Sequence, residues 1–213
     1  MASATTSFLP ERGGFKFPNS FRFEMKQELP LIGEIDLEDL TVGLCGGMCL
    51  TALDYFHSNK EIPSRETVPG VDTELRRRLI RKQIQSLFPP DGILKVLTWT
   101  AIDDTYVWRH TAGREFGKVR TRLNKKKPVV LALIRVGRGE DLKKNHQVVA
   151  HSYNYNEQSG RVRIGIYDPN HPGERSQLSL NIASPKTGIN AIQSNDVPFR
   201  GFFLIDYKQE MII

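Results

Sequence analysis

Cysteine is scarce in this 213-residue chain, which has two, and no stretch approaches the ~20 consecutive apolar residues of a membrane helix. Two cysteines exclude a disulfide framework, and Cys45 and Cys49 would stand about one turn apart on a helix, a poor geometry for bridging. The opening MASATTSFLPERGG holds no apolar run long enough for the core of a signal peptide. Free thiols suit a reducing compartment, so the expected location is the cytoplasm, with no membrane partner. Metal ligands are short as well. C-x3-C has a possible zinc spacing, but no second cysteine pair and no H-x3-5-H partner completes it. No lysine follows the glycines of GLCGG in the manner of a phosphate loop. Nothing in the sequence asks for a cofactor.

The net charge is +6, concentrated in RRRLIRK (76–82) and KKK (125–127). Such a balance can draw a protein to nucleic acid. Yet Leu75, Leu79, Ile80, Ile84, Leu87 and Phe88 form an apolar stripe at helical spacing, which sends Arg76, Arg77, Arg78, Arg81 and Lys82 to the solvent side. A solvated helix face accounts for the charge, and nucleic acid is not the expected partner.

Helical patterns run over 45–57, 73–88, 92–101 and 113–124, with Asp72 and Asp91 placed to cap the second and third. Beyond Lys127 the character changes. PVVLALIRV (128–136), HQVVAHSYNY (146–155), RVRIGIYD (161–168), SQLSLNI (176–182) and GFFLIDY (201–207) read as strands, rich in β-branched and aromatic residues. Helices first and strands afterwards imply an α+β fold, helices packed on an antiparallel sheet. No repeat or linker divides the chain, so 1–213 reads as one domain. Residues 1–30 read as an extended arm, in which Phe15, Phe17, Phe21 and Phe23 alternate with polar residues.

Two of the strands are joined by NEQSG (156–160), which is hairpin-turn material. A turn centred near Glu157 sets residue i opposite residue 314 minus i, and so sets His146 opposite Asp168. His146 then shares an apolar, inward face with Val148 and Ala150, while Gln147, His151 and Tyr153 point outward. An inward histidine bonded to a carboxylate has a fixed tautomer and a stabilised cation. The same pair can also be no more than a satisfied polar contact in a core.

GLCGGMCLTALDYF (43–56) contains both cysteines. A thiol in the first turn of a helix feels unpaired backbone N–H groups and the positive end of the helix dipole, and both favour thiolate. Cys45 has that position, and Gly46 and Gly47 beside it leave room for an approaching substrate. Cys49, a turn further in among Leu50, Ala52, Leu53 and Phe56, reads as a small core hydrophobe.

The ordered set GLCGGM, NHQVVAHSY and IGIYDPNHPG resembles the papain-like cysteine peptidase superfamily. Within it the likeness is to the bacteriocin-processing double-glycine peptidases, and to bacterial and fungal proteins sharing GLCGGM, NHQV, YDPN and an N-terminal FPNSF. The resemblance spans residues from about 15 to 205 and implies a papain-like fold. It implies Cys45 as nucleophile, His146 as general base and acid, and Asp168 as the residue orienting His146. The family usually places an oxyanion-hole glutamine about six residues before the nucleophile, where this chain has Asp39; an ionised carboxylate would repel an oxyanion. The Cys45 N–H can supply one donor, and Asn19 of FPNSF is a candidate second, unless it only caps a turn. The implied activity is a cysteine hydrolase, a peptidase or isopeptidase working through a thioester on a peptide or acyl substrate. An acyl or peptidyl transferase with the same triad, or a non-catalytic papain-like binding module, are the alternatives.

Overall fold

A computed structural model describes residues 1–23, 27–29, 33–35, 40–87 and 92–212 of the chain. The architecture is α+β, built on a seven-stranded antiparallel sheet. Its strands are β1 (Ala2–Thr5), β6 (Val129–Ile134), β7 (His146–Tyr155), β8 (Arg161–Tyr167), β9 (Ser176–Asn181), β10 (Ile192–Gln193) and β11 (Gly201–Ile205), in the order β10-β9-β8-β7-β6-β11. β7 is too long for one neighbour: β6 pairs with His146 to Ala150, and β1 takes over along Ser152 to Tyr155. Two short antiparallel ladders precede the first long helix, β2 (Phe21–Phe23) with β5 (Leu40–Val42) and β3 (Gln27–Leu29) with β4 (Gly33–Ile35).

β6 has the sequence VVLALI and is buried at every position, as a strand covered on both faces must be. Val130, Ala132 and Ile134 face α2 (Cys45–His57), while Leu131 and Leu133 face α6 (Phe116–Asn124) through Phe116, Val119 and Leu123. The sheet therefore lies between two helical layers. The N-terminal segment belongs to this core and is not an arm laid over it. β1 and the turn α1 (Pro10–Gly13) lead into Phe15, Phe17 and Phe21, and these with Phe8 are buried around α2. Each aromatic ring buried this way removes ~150 Å² or more from water, which is why the segment is drawn in.

α3 (Glu74–Leu87) overturns the expected solvated basic face. Arg76 and Lys82 are buried, whereas Ile84, assigned to the apolar stripe, is exposed. Lys82 reaches the buried carboxylate of Asp54 at 2.7 Å, and Arg76 donates to the carbonyls of Pro69 and Arg22 while its guanidinium lies over the Phe21 ring. Burial of a cation is tolerable only with such partners, and the apolar count of a helix does not reveal them. Thr73, not Asp72, caps this helix by accepting from the Arg76 N–H; Phe88 and Asp91 lie outside the described residues.

Helix α4 (Gly92–Ala101) is followed by α5 (Asp104–His110), a π-helical turn at Thr111–Glu115, and α6. The π turn covers the free edge of β11. Thr111 Oγ1 accepts from the Phe202 N–H, and Glu115 accepts from the Leu204 N–H at 3.0 Å, so the edge strand is closed by side chains. Among the described residues no helix is long and apolar enough to cross a membrane.

Candidate active site

α2 begins at Cys45 with Leu44 as its N-cap, a residue that cannot cap with its side chain. Asn19 does this work from a distance: its Oδ1 accepts from the Leu44 N–H at 2.6 Å. Its Nδ2 donates to Asn170 Oδ1 at 2.8 Å, which ties the start of α2 to the loop after β8. The Gly47 N–H is taken by Gln83 and the Met48 N–H by the Leu44 carbonyl. Among the described residues the Cys45 N–H has no acceptor.

Gly46 and Gly47 do not open a path for substrate. Both are buried, and a Cβ on Gly46 would stand 2.2 Å from Ser86 Oγ, one on Gly47 2.1 Å from the Leu79 carbonyl oxygen. Gly47 lets the backbones of α2 and α3 approach, and Gly46 leaves room for the side chains of Ser86 and Gln147. Cys49 is fully buried with its thiol toward the Gln147 carbonyl, and burial pushes its pKa well up; Cys45 is partly exposed.

The histidine and the aspartate meet, but not by the expected register. Asn156 accepts from the Gln158 and Ser159 N–H groups, and Gly160 closes the loop at φ +69°. Tyr155 therefore pairs with Val162, so the sum of partner numbers is 317 rather than 314. At His151 the strand carries one extra residue, a β-bulge, and beyond it Ala150 pairs with Ile166, a sum of 316. The bulge also puts Tyr153, expected outside, on the buried face with Ala150.

At the end of this hairpin His146 Nε2 lies 2.6 Å from Asp168 Oδ1, both side chains buried. The Cys45 thiol lies near enough to the same imidazole for each group to shift the titration of the other. With Nε2 committed to Asp168, Nδ1 is the nitrogen left for sulfur. Burial opposes the Cys45 thiolate, but the His146 hydrogen bond and charge, with help from the Gln147 and Gly46 backbone, outweigh it and hold the thiol below its ordinary 9.0. Burial likewise opposes the His146 cation, yet Asp168 and Cys45 raise its pKa to about 9. Asp168 is lowered despite burial, because His146, the Asn170 N–H and Gln193 all stabilise its charge. Each shift favours the charged form of its group, a thiolate beside an imidazolium.

Behind these three residues stands a set that sequence reasoning missed. Gln193 Nε2 donates to Asp168 Oδ2, while Gln193 Oε1 accepts from Arg135 Nη2 at 2.7 Å. Asn145, next to His146, accepts from the Arg135 N–H at 2.9 Å and fixes the approach to β7. Nothing in AIQSND marks Gln193; it is brought in by the pairing of β10 with β9. Asp39 lies outside the described residues. Among the described residues no group of three or more His, Cys, Asp or Glu side chains is placed to hold a metal ion.

No protein family, curated protein or solved structure matches the chain. The chemistry must therefore be argued from the site. A cysteine at a helix start with its pKa lowered by a nearby histidine, and a carboxylate bonded to that histidine, suit nucleophilic acyl transfer.

Proposed function

We propose that this chain is a cysteine hydrolase of the papain-like kind, acting on peptide, isopeptide or related acyl bonds. The observation that carries the proposal is the His146–Asp168 pair, bonded at 2.6 Å, with a partly exposed Cys45 at a helix start close enough to His146 for the imidazole to lower its pKa. In this reading the Cys45 thiolate attacks the carbonyl carbon, and the oxyanion takes a hydrogen bond from the Cys45 N–H. His146 then gives its Nδ1 proton to the leaving amine as the C–N bond breaks, which leaves a thioester and a neutral imidazole. The imidazole removes a proton from water, the hydroxide equivalent attacks the thioester, and the acid departs as sulfur regains its thiolate. Asp168 stays ionised throughout and keeps the imidazole in one orientation.

Alkylation with iodoacetamide across a pH series, followed by peptide mapping, tests the proposal. The expected result is fast labelling of Cys45 well below pH 9 and little labelling of buried Cys49; equal, slow labelling of both overturns it. Hydrolysis of fluorogenic acyl substrates, lost in Cys45→Ala, is the matching activity test. Added amine acceptors that divert the acyl group from water would identify a transferase with the same chemistry.

A further inference from the structure

Asp168 has two oxygens and each has a different task. Oδ1 faces His146 and also accepts from the Asn170 N–H at 2.8 Å. Oδ2 accepts from the Gln193 side chain, itself 1 % exposed. An amide can turn over and present oxygen where nitrogen is needed. Here the flip is opposed from the far side, for Arg135 offers only donors and so demands the amide oxygen. Arg135 is steadied in turn by its position at the end of β6, where its N–H is held by Asn145. The backbone of Gln193 is fixed by β10, and its N–H donates to the Val197 carbonyl at 3.0 Å.

We propose that Gln193 is a positioning residue for the site, anchored by Arg135, and that it makes the working unit Cys45, His146, Asp168 and Gln193 rather than the first three alone. The role rests on the hydrolase reading above. Its mechanism is electrostatic and geometric. The amide donor favours the charged form of Asp168 and holds its other oxygen toward the imidazole, so the carboxylate acts at full strength on the His146 cation. It also stops the carboxylate from rotating away from the imidazole.

Cys49 and Tyr167 are buried, and burial pushes both the thiol and the phenol above the range of interest. Burial lowers the pKa of the Arg135 guanidinium, while the nearby charges of Asp168 and Cys45 work to keep its cation. His171 follows in the same loop, but its ring is turned to Asn195 and Glu174.

The test is the rate of Cys45 alkylation by iodoacetamide as a function of pH, together with thermal melting, in the full chain and in variants. Gln193→Leu keeps the volume and removes the donor; its alkylation limb is expected to move to higher pH by up to about one unit. Gln193→Glu is expected to restore the limb, because two adjacent carboxyls share one proton and that proton replaces the amide hydrogen. A folded Gln193→Leu protein whose limb stays in place overturns the role of Gln193. Should that variant fail to fold, Gln193→Asn decides, since its shorter amide cannot span Arg135 and Asp168 together: a moved limb supports the proposal and an unmoved limb overturns it. A wild-type limb near the ordinary thiol value of 9.0 would instead sink the hydrolase reading, so the two failures are separate.

Discussion

His146 and Asp168 touch at 2.6 Å although neither is the other's partner in the ladder. Val149 pairs with Tyr167, so in that register Asp168 stands across from Val148 and His146 is its diagonal neighbour. Diagonal positions on one face are about 7–8 Å apart between Cα atoms, within reach of two such side chains. The parity depends on the bulge. In the register nearer the turn, with its sum of 317, even-numbered residues of β7 share a face with odd-numbered residues of β8, and His146 and Asp168 would lie on opposite faces. The extra residue at His151 restores the match.

The bulge should therefore be a functional element as well as an irregularity. Gly165 makes room for it: a Cβ there would lie 2.3 Å from Ser152 Oγ and 3.0 Å from His151 Nε2. Valine is ordinarily favoured over glycine in a strand. In Gly165→Val the reverse is expected, a loss of about 1–3 kcal/mol from overpacking and a slower alkylation of Cys45 as the hairpin end shifts. Thermal melting and the alkylation rate at pH 7 check both parts; a stabilised variant with unchanged labelling would remove the bulge from the account.

The pH dependence follows from the two shifted groups. The thiol pKa of Cys45 is lowered, so alkylation should gain its thiolate below pH 9 as pH rises. His146 is raised to about 9, and hydrolysis needs its proton for the leaving group, so hydrolysis should fall again as pH passes about 9. Hydrolysis is thus expected to be bell-shaped while alkylation reaches a plateau. The folded-state pKa of His146 exceeds its unfolded value of 6.5, so its contribution to stability is complete below 6.5 and fades toward 9. A hydrolysis profile that keeps rising beyond pH 10 would contradict the assignment of His146.

Much of this arrangement was legible in the sequence, for reasons that also mark where legibility ends. The strands from Val129 onward announce themselves because a sheet covered on both faces needs continuous β-branched and aromatic residues. Cys45 stands out because two glycines after a thiol are costly in a helix and need a cause. The cause itself was not legible: Leu79 and Ser86, more than thirty residues away, need the space. Lys82 looks like any surface lysine until Asp54 is brought beside it. The position of the hairpin turn depends on how Asn156 uses its side chain, and a shift of three in the partner sum follows from that one choice. Gln193 carries no local signal, since a buried amide between two charges is a purely tertiary feature.

Asn19 can be given its role by experiment. Its oxygen holds the Leu44 N–H and one hydrogen of its amide holds Asn170, a bridge between the nucleophile's helix and the loop after Asp168. Asn19→Asp keeps the first bond and sets oxygen against oxygen in the second. A bridging role predicts a loss of about 1–2 kcal/mol in stability together with slower alkylation of Cys45. A donor to the oxyanion predicts a fall of about 100-fold in kcat with alkylation unchanged, because alkylation forms no oxyanion. Urea unfolding and the two rates distinguish these outcomes, and the geometry favours the first.

The buried charges behind α2 give the most direct test of the core. Lys82 Nζ lies 2.7 Å from Asp54 Oδ2 and 3.2 Å from Glu210 Oε1, and the Glu210 N–H donates to Asp54 Oδ1, so one lysine fastens the C-terminal segment to α2 and α3. Lys82→Met keeps the bulk but leaves the buried carboxylate with the Glu210 N–H and, for a cation, the longer Arg78 contact at 3.5 Å. Removing one partner of such a pair costs about 3–5 kcal/mol, more than deleting both. Burial already raises the Asp54 pKa above 3.8 even with Lys82 present, and without it the carboxyl should take up a proton at higher pH still. A raised folded-state pKa means that stability is retained at low pH and lost as pH climbs, so the deficit of Lys82→Met should be largest near pH 8 and shrink toward pH 5. Urea unfolding at the two pH values measures it. The double variant Asp54→Leu with Lys82→Met should recover part of the loss, and a single variant as stable as the wild type at pH 8 would show that the charges do not hold this corner together.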